Sequence, residues 1–237
     1  MNLILLDTND FTGKDGRTVR LTGRRREHIT KVCRCGEGAT LKVGFLGGNV
    51  GTGTVIRNSA SSMELSVDLT ETPPPSLPLT LVIALPRPKS LKKSIEAATS
   101  LGIKRICLIQ SWRVEKSYWS SPVLAPGSLR KHMLFGLEQA RDTVLPVIEV
   151  RRRFKPFVED ELPEIVEGKT ALVAHPYDAA PCPFSIEGKG VLVIGPEGGF
   201  IPYEIDLLKN AGCAPVTIGR RILRVETAIA AFAGRFW

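Results

Sequence analysis

The spacing of hydrophobic and polar positions changes character about a third of the way along the chain. Residues 2–6, 18–21, 39–44, 51–57 and 63–69 carry short apolar or alternating runs separated by Gly, Asn and Ser, which predicts five short strands. Residues 24–35 have a helical period instead, with Ile29, Val32 and Cys33 on one face and Gly36 as a stop. Together these predict a small β-barrel carrying one helix. Residues 70–78 read TETPPPSLP, and three consecutive prolines cannot continue a helix or a central strand. The expected division is therefore a barrel at 1–70, a Pro-rich linker at 71–78 and a second domain at 79–237.

Beyond the linker, strands alternate with helices. Buried-strand runs fall at 79–85, 105–109, 147–150, 171–174, 191–194 and 216–218. Ser90 can cap a helix whose Leu91, Ile95, Ala98 and Leu101 share a face, and Gly102 ends it. A second helix is expected at 128–142 with Leu129, Met133, Leu137 and Ala140 inward. A third is bracketed by Pro202 and Gly212, and a fourth runs from Arg224 towards the end. This alternation predicts an α/β domain built on a parallel sheet covered on both faces.

A chain of 237 residues with 43% hydrophobic residues has the material for one large or two modest globular domains. No apolar stretch approaches the roughly 20 residues needed to span a bilayer, and the first residues, MNLILLDTNDF, hold only a four-residue apolar run before the acids. A soluble, unexported, cytoplasmic protein without a membrane partner is expected. The five cysteines form no spaced ligand pairs, so reduced thiols and no metal are expected. The formal charge of +8 is unevenly placed. Lys14, Arg17, Arg20, Arg24, Arg25, Arg26, Lys31 and Arg34 face only Asp15 and Glu27 within one segment, and Arg87 and Lys89 begin another basic cluster. Such patches bind a polyanion through counterion release, although a solvated helix face has the same composition.

Two glycine-bearing turns carry the chemistry: VLVIGPEGGF at 191–200 and VTIGRRILRVETAIAAF at 216–232. In each, a strand-like run breaks into residues suited to unusual backbone angles before a helical pattern resumes. Loops beyond strand ends are where α/β proteins place ligands. The first loop lacks the Gly-Lys-Ser/Thr ending of a phosphate loop, which disfavours a triphosphate.

GPEGGF at 195–200 followed by IGRRILRVETA at 218–228 resembles the paired signature of the RsmE family, methyltransferases of 16S ribosomal RNA in the SPOUT superfamily. PRPKSLKKSIEAATSLGIKRI at 86–106 and LEQARDTVLP at 137–146 fall in the family's order. The resemblance implies an N-terminal PUA-like RNA-binding β-barrel and a C-terminal parallel-sheet SPOUT domain with a trefoil knot. It further implies a homodimer, S-adenosylmethionine as methyl donor, and methylation at N3 of one uridine in 16S RNA within the small ribosomal subunit. One departure stands out: family members usually read K-x-x-E-L-G where this chain has Ala97-Ala98-Thr99-Ser100-Leu101-Gly102. It keeps open a SPOUT enzyme acting on another RNA position, or an RNA-binding ribosome-assembly protein without catalysis.

Mapped onto this sequence, the resemblance places the cofactor between three walls. They are Leu172, Val173, Ala174 and His175; Ile194, Gly195, Pro196, Glu197, Gly198 and Gly199; and Ile218, Gly219, Ile222, Leu223, Arg224 and Thr227. Ile222 and Leu223 either flank the adenine or pack in a helix core. Because uridine N3 carries a proton, the site needs a base or a cation that stabilises the anion. Arg141 and Arg224 are the expected stabilisers, with Arg141 equally a phosphate or dimer contact. Glu226 is the expected base or positioner, or else a carboxylate stabilising a helix N-terminus. His175 is a further base, or a packed strand-end residue.

Overall fold

A computed structural model describes residues 2–13 and 16–237, so Lys14 of the basic segment lies outside the described residues. By internal contacts the chain divides into Met1–Pro74 with Leu137–Leu145, and Pro75–Gly136 with Pro146–Trp237.

The first unit holds β1 (Ile4–Leu6), β2 (Thr18–Leu21), β3 (Thr40–Phe45), β4 (Val50–Asn58) and β5 (Met63–Glu71). They form one sheet in the order β1-β3-β4-β5-β2, with β1 parallel to β3 and the other pairs antiparallel. Register shifts between β4 and β5 bend the sheet. The result is a curled half-barrel in place of the small β-barrel expected, and among the described residues its outer strands, β1 and β2, are not paired with each other. The inner face of β5 alternates as period two requires, burying Met63, Leu65 and Val67 against Leu6, Leu21, Ile29 and Val43.

The helix of this unit is shorter than its hydrophobic period predicts. Gly23–Glu27 is α-helical (α1), and His28–Val32 continues it with π-helical bonds. The wider turn shifts the face: Ile29 is fully buried, whereas Val32 is 67% exposed and Cys33 is exposed. The segment Leu137–Leu145 is stitched to the same unit. Asn2 N–H donates to the Glu138 carbonyl at 3.0 Å, Thr143 Oγ1 to the Gly48 carbonyl at 2.5 Å, and Arg24 pairs with the Glu138 carboxylate at 2.5 Å.

The second unit is a seven-stranded, wholly parallel sheet. Its strands are β6 (Leu77–Ala84), β7 (Ile103–Ile109), β8 (Val147–Arg151), β9 (Thr170–Ala174), β10 (Ala180–Pro181), β11 (Gly190–Ile194) and β12 (Ala214–Thr217), in the order β10-β12-β9-β11-β6-β7-β8. β5 runs through Glu71 and β6 starts at Leu77, which leaves only residues 72–76 between them. Every residue of β11 is buried, the mark of a strand covered on both faces.

Helix α2 (Pro88–Ser100) starts two residues before Ser90, because Pro88 takes the first helical position and Arg87 the cap. Leu91, Ile95 and Ala98 are inward as their spacing predicts. Helix α3 (Pro126–Ala140) ends where Arg141 turns to φ 57°. Several short elements escaped the periodicity, among them α4 (Phe154–Pro156) and α5 (Leu162–Val166), joined by a π-helical turn at Phe157–Glu161. One-turn segments show too few residues to establish a period. Helix α6 (Pro202–Asn210) precedes β12, and α7 (Val225–Ala233) packs on α2 and β11. Phe236 then lies so close to β11 that a Cβ on Gly190 would sit 2.0 Å from its ring. Among the described residues no helix is long and apolar enough to cross a membrane.

Candidate active site

In a parallel sheet every strand points the same way, so the loops leaving their C-terminal ends gather on one edge. At the ends of β9, β11 and β12 they enclose a cavity of about 570 Å³. The first wall is Ala174 and His175, continued by Pro176, Tyr177 and Asp178. The second is Ile194 through Phe200, and the third includes Thr217, Ile218, Arg221, Ile222 and Leu223. Val225, Ala228 and Phe232 of α7 contribute apolar surface, while Pro202, Ile205, Asp206 and Lys209 come from α6.

The GPEGG turn is held by specific bonds. Gly199 N–H donates to the Pro196 carbonyl at 2.8 Å, and Gly199 has φ +70°, where a side chain is strained. The Glu197 carboxylate accepts the backbone N–H of Arg87 at 3.1 Å, which ties the loop to the start of α2. Arg113 closes the outer side. Its guanidinium donates to the Gly198 carbonyl, and its aliphatic stem lies where a Cβ on Gly198 would be 3.0 Å away. After β12, Thr217 Oγ1 donates to the Gly219 carbonyl at 2.9 Å.

His175 stands half-buried at the end of β9, its backbone N–H bonded to the Val216 carbonyl at 3.0 Å. Burial lowers its pKa below the ordinary 6.5, and the charge of Asp178 offsets part of that. The neutral imidazole is thus favoured, the form that can accept a proton. Charges around the cavity are mixed. Arg113, Lys209 and Arg221 supply cations, and Asp178, Glu197 and Asp206 supply carboxylates.

The expected cofactor residues Ala174, His175, Ile194, Gly195, Pro196, Glu197, Gly198, Gly199, Ile218, Ile222 and Leu223 therefore line one cavity. Leu172, Val173, Gly219, Arg224 and Thr227 do not line it. Leu172 and Val173 are buried inside β9, where the pleat turns them into the sheet's own packing. Arg224 is the exposed residue capping α7, and Thr227 is exposed on that helix.

The expected catalytic residues are not brought into the cavity. Arg141 is exposed and belongs to the first unit. Glu226 sits in the first turn of α7, 3.8 Å from Lys93 on α2, and its Oε2 is buried with no hydrogen-bond partner among the described residues. That placement favours the helix-terminus reading.

Among the basic residues, Arg17, Arg20, Lys31 and Arg34 of the first unit are exposed, as are Arg87 and Lys89 of the second. Arg25 is turned inward to Asp10, and Arg26 to the Ser59 carbonyl at 2.5 Å. Arg113, Asp178, Asp206 and Lys209 were missed by sequence reasoning. Only Arg113 carried a usable signal, a charged residue following a buried strand at the edge where ligands bind.

Residues 73–237 match the family described as RNA methyltransferase domain. The chain is 27% identical over 230 residues to ribosomal RNA small subunit methyltransferase E 1 of Borreliella burgdorferi, covering 96% of this chain and 94% of that one. It is 30% identical over 209 residues to ribosomal RNA small subunit methyltransferase E of Treponema pallidum, covering 86% and 79%. Among solved structures, a ribosomal RNA small subunit methyltransferase E from Neisseria gonorrhoeae bound to S-adenosyl methionine has a TM-score of 0.74 at 21% identity, over 98% of this chain and 95% of that chain. A methyltransferase structure from Legionella pneumophila, in complex with the same cofactor, has a TM-score of 0.73 at 20% identity with the same coverage.

Proposed function

Because this chain belongs to the RNA methyltransferase family that includes the RsmE enzymes, we propose that it uses S-adenosylmethionine to methylate N3 of one uridine in 16S RNA of the small ribosomal subunit. The observation that carries this reading is the cavity at the ends of β9, β11 and β12, where the two glycine-bearing turns meet. Its residues fit the cofactor. Pro196, Ile218, Ile222 and Leu223 offer apolar surface to a flat base, and mixed carboxylates and cations suit a ligand bearing a carboxylate, an ammonium and a sulfonium. A triphosphate, by contrast, would call for a predominantly cationic lining. When bound, the cofactor supplies an electrophilic methyl group on a positively charged sulfur.

The chain's own groups manage the proton and the base. In the net exchange the uracil loses its N3–H bond and gains an N3–CH3 bond, while the donor loses its S–CH3 bond. His175 lines the cavity as a neutral imidazole and can take the proton. A paired N3 is engaged, so the uridine is received unpaired or turned out of its stack.

The finer reading of the fold is a PUA-like RNA-binding first unit and a SPOUT second unit with a trefoil knot. The knot rests on the family resemblance, and the chain returns after β12 to pack α7 and Phe236 on α2 and β11. A homodimer working in the cytoplasm completes the proposal, on the strength of the family resemblance. Small subunits from cells lacking this gene test the function. Purified protein and labelled cofactor are expected to yield 3-methyluridine on nucleoside digestion. Label on a ribose or another base would redirect the assignment, and cofactor binding without transfer would leave an RNA-binding protein.

A further inference from the structure

We propose that Trp112 is the platform on which the target base stacks when it enters the site, an inference that rests on the methyltransferase reading above. Trp112 and Arg113 are the two central residues of a tight turn after β7, closed by the Val114 N–H to Ser111 carbonyl bond at 3.1 Å. Such turn positions favour Pro, Asp, Asn or Gly, and nothing in the turn's backbone calls for an indole. The Trp112 side chain is nevertheless left 78% exposed.

A single exposed ring is ordinary on a protein surface. What separates Trp112 is that the cavity wall grips its turn on both sides. On one side, the adjacent Arg113 lines the cavity and donates to the Gly198 carbonyl in the GPEGG turn. On the other, the buried carboxylate of Glu204 accepts the Trp112 backbone N–H at 2.7 Å and the Ile201 N–H at 3.0 Å. Glu204 belongs to the first turn of α6, whose Pro202 and Ile205 also line the cavity. The indole is thus carried on a backbone tied to the GPEGG turn and to α6, two elements of the cavity wall, while the ring itself is uncommitted to the core. Trp112 stands outside the cavity lining, next to Arg113, and the lining itself exposes two further apolar side chains, Tyr177 at 61% and Ile222 at 71%.

This is the surface an unstacked base requires. A base removed from its neighbours loses their π-contacts, and an aromatic ring restores them without reading sequence. Arg113 keeps N–H donors beyond the one on Gly198, within the same turn, for the carbonyls that flank N3 of a uracil. Trp112 acts on the RNA and not on the cofactor, whose walls are the strand-end loops.

The test compares Trp112→Ala, Trp112→Phe and Phe184→Ala, the last removing an exposed ring packed by Arg235 and carried on no turn bonded to the GPEGG loop or to Glu204. Methyl transfer to undermethylated small subunits and calorimetric binding of S-adenosylmethionine are measured for each. The expected result is a fall in kcat/KM of about tenfold or more for the alanine variant. Most of it should be restored by phenylalanine, with cofactor affinity unchanged and Phe184→Ala at the wild-type level. Wild-type transfer together with an undiminished Trp112→Ala would overturn the proposal, as would an equal loss from Phe184→Ala or a parallel loss of cofactor affinity. Failure of the wild-type protein itself to transfer methyl would instead sink the underlying reading.

Discussion

The guanidinium of Arg25 holds the buried carboxylate of Asp10 by two hydrogen bonds, at 2.6 and 2.5 Å, and donates a third to the Leu5 carbonyl at 2.7 Å. This arginine stands in the most basic segment of the chain, yet its charge is spent inside the half-barrel. Removing one member of a buried, hydrogen-bonded ion pair strands the other without solvent. Arg25→Ala is therefore expected to destabilise the first unit by about 3 kcal/mol. Urea unfolding monitored by a probe in this unit measures it, and a loss near zero would mean that water replaces the guanidinium.

Exposed bases of the same unit behave differently. Each cation that meets a phosphate releases about one counterion, so binding to RNA should weaken steeply with salt. Arg20→Ala and Arg34→Ala are each expected to reduce the slope of log affinity against log salt by about 1 with little change in stability. Titrations of a 16S RNA fragment at several ionic strengths provide the slopes. Unaltered slopes would remove this face from the RNA interface.

Where physical signals were long, the sequence was legible. The period-two alternation of residues 63–67 and the buried runs of β7 and β11 placed those strands, and the prolines at 73–75 marked the change of architecture. The three loops after β9, β11 and β12 were named through the family resemblance, and they line one cavity because a parallel sheet sends all its C-terminal ends to one edge. Three features were not legible. The π-helical turn at His28–Val32 shifts Val32 outward without changing the hydrophobic pattern. The attachment of Leu137–Leu145 to the first unit rests on pairings such as Arg24 with Glu138, more than a hundred residues apart. Arg25 and Arg20 differ in exposure although composition treats them alike, because only one of them has a buried carboxylate waiting.

In the GPEGG turn, Gly199 at φ +70° cannot accept a β-carbon without strain of about 1–2 kcal/mol. Gly199→Ala is expected to weaken cofactor binding by about tenfold, since the strain must be relieved by moving the turn that forms the wall. Gly199→Asn should lose less, because asparagine tolerates the left-handed region. Calorimetry with S-adenosylmethionine distinguishes them, and equal affinities for all three proteins would show that the turn is not a wall of the cofactor site.

For His175, burial lowers the pKa and Asp178 raises it. Between the depressed folded value and the ordinary 6.5, the unfolded chain binds more protons than the folded one. The neutral histidine's contribution to stability is then present above about pH 6.5 and is lost as pH falls through the folded value. An NMR titration of the imidazole should show its midpoint below 6.5. Asp178→Asn should move it lower still, because the favourable charge is gone. A midpoint that rises in that variant would assign the shift to another neighbour.

Gly190 opens β11, and the ring of Phe236 lies against it. A methyl group at Gly190 would lie 2.0 Å from Phe236 Cε1, well inside contact distance. Because Phe236 is 4% exposed in the main core, it has little room to retreat. Gly190→Ala is expected to cost about 1–3 kcal/mol by overpacking, and Phe236→Ala about 3–5 kcal/mol by opening a cavity. The two losses should not add, since truncating the ring removes the clash that the added methyl creates. A double-mutant cycle by thermal or urea unfolding measures the coupling. Strict additivity would mean that the C-terminal tail is not seated on β11 in solution.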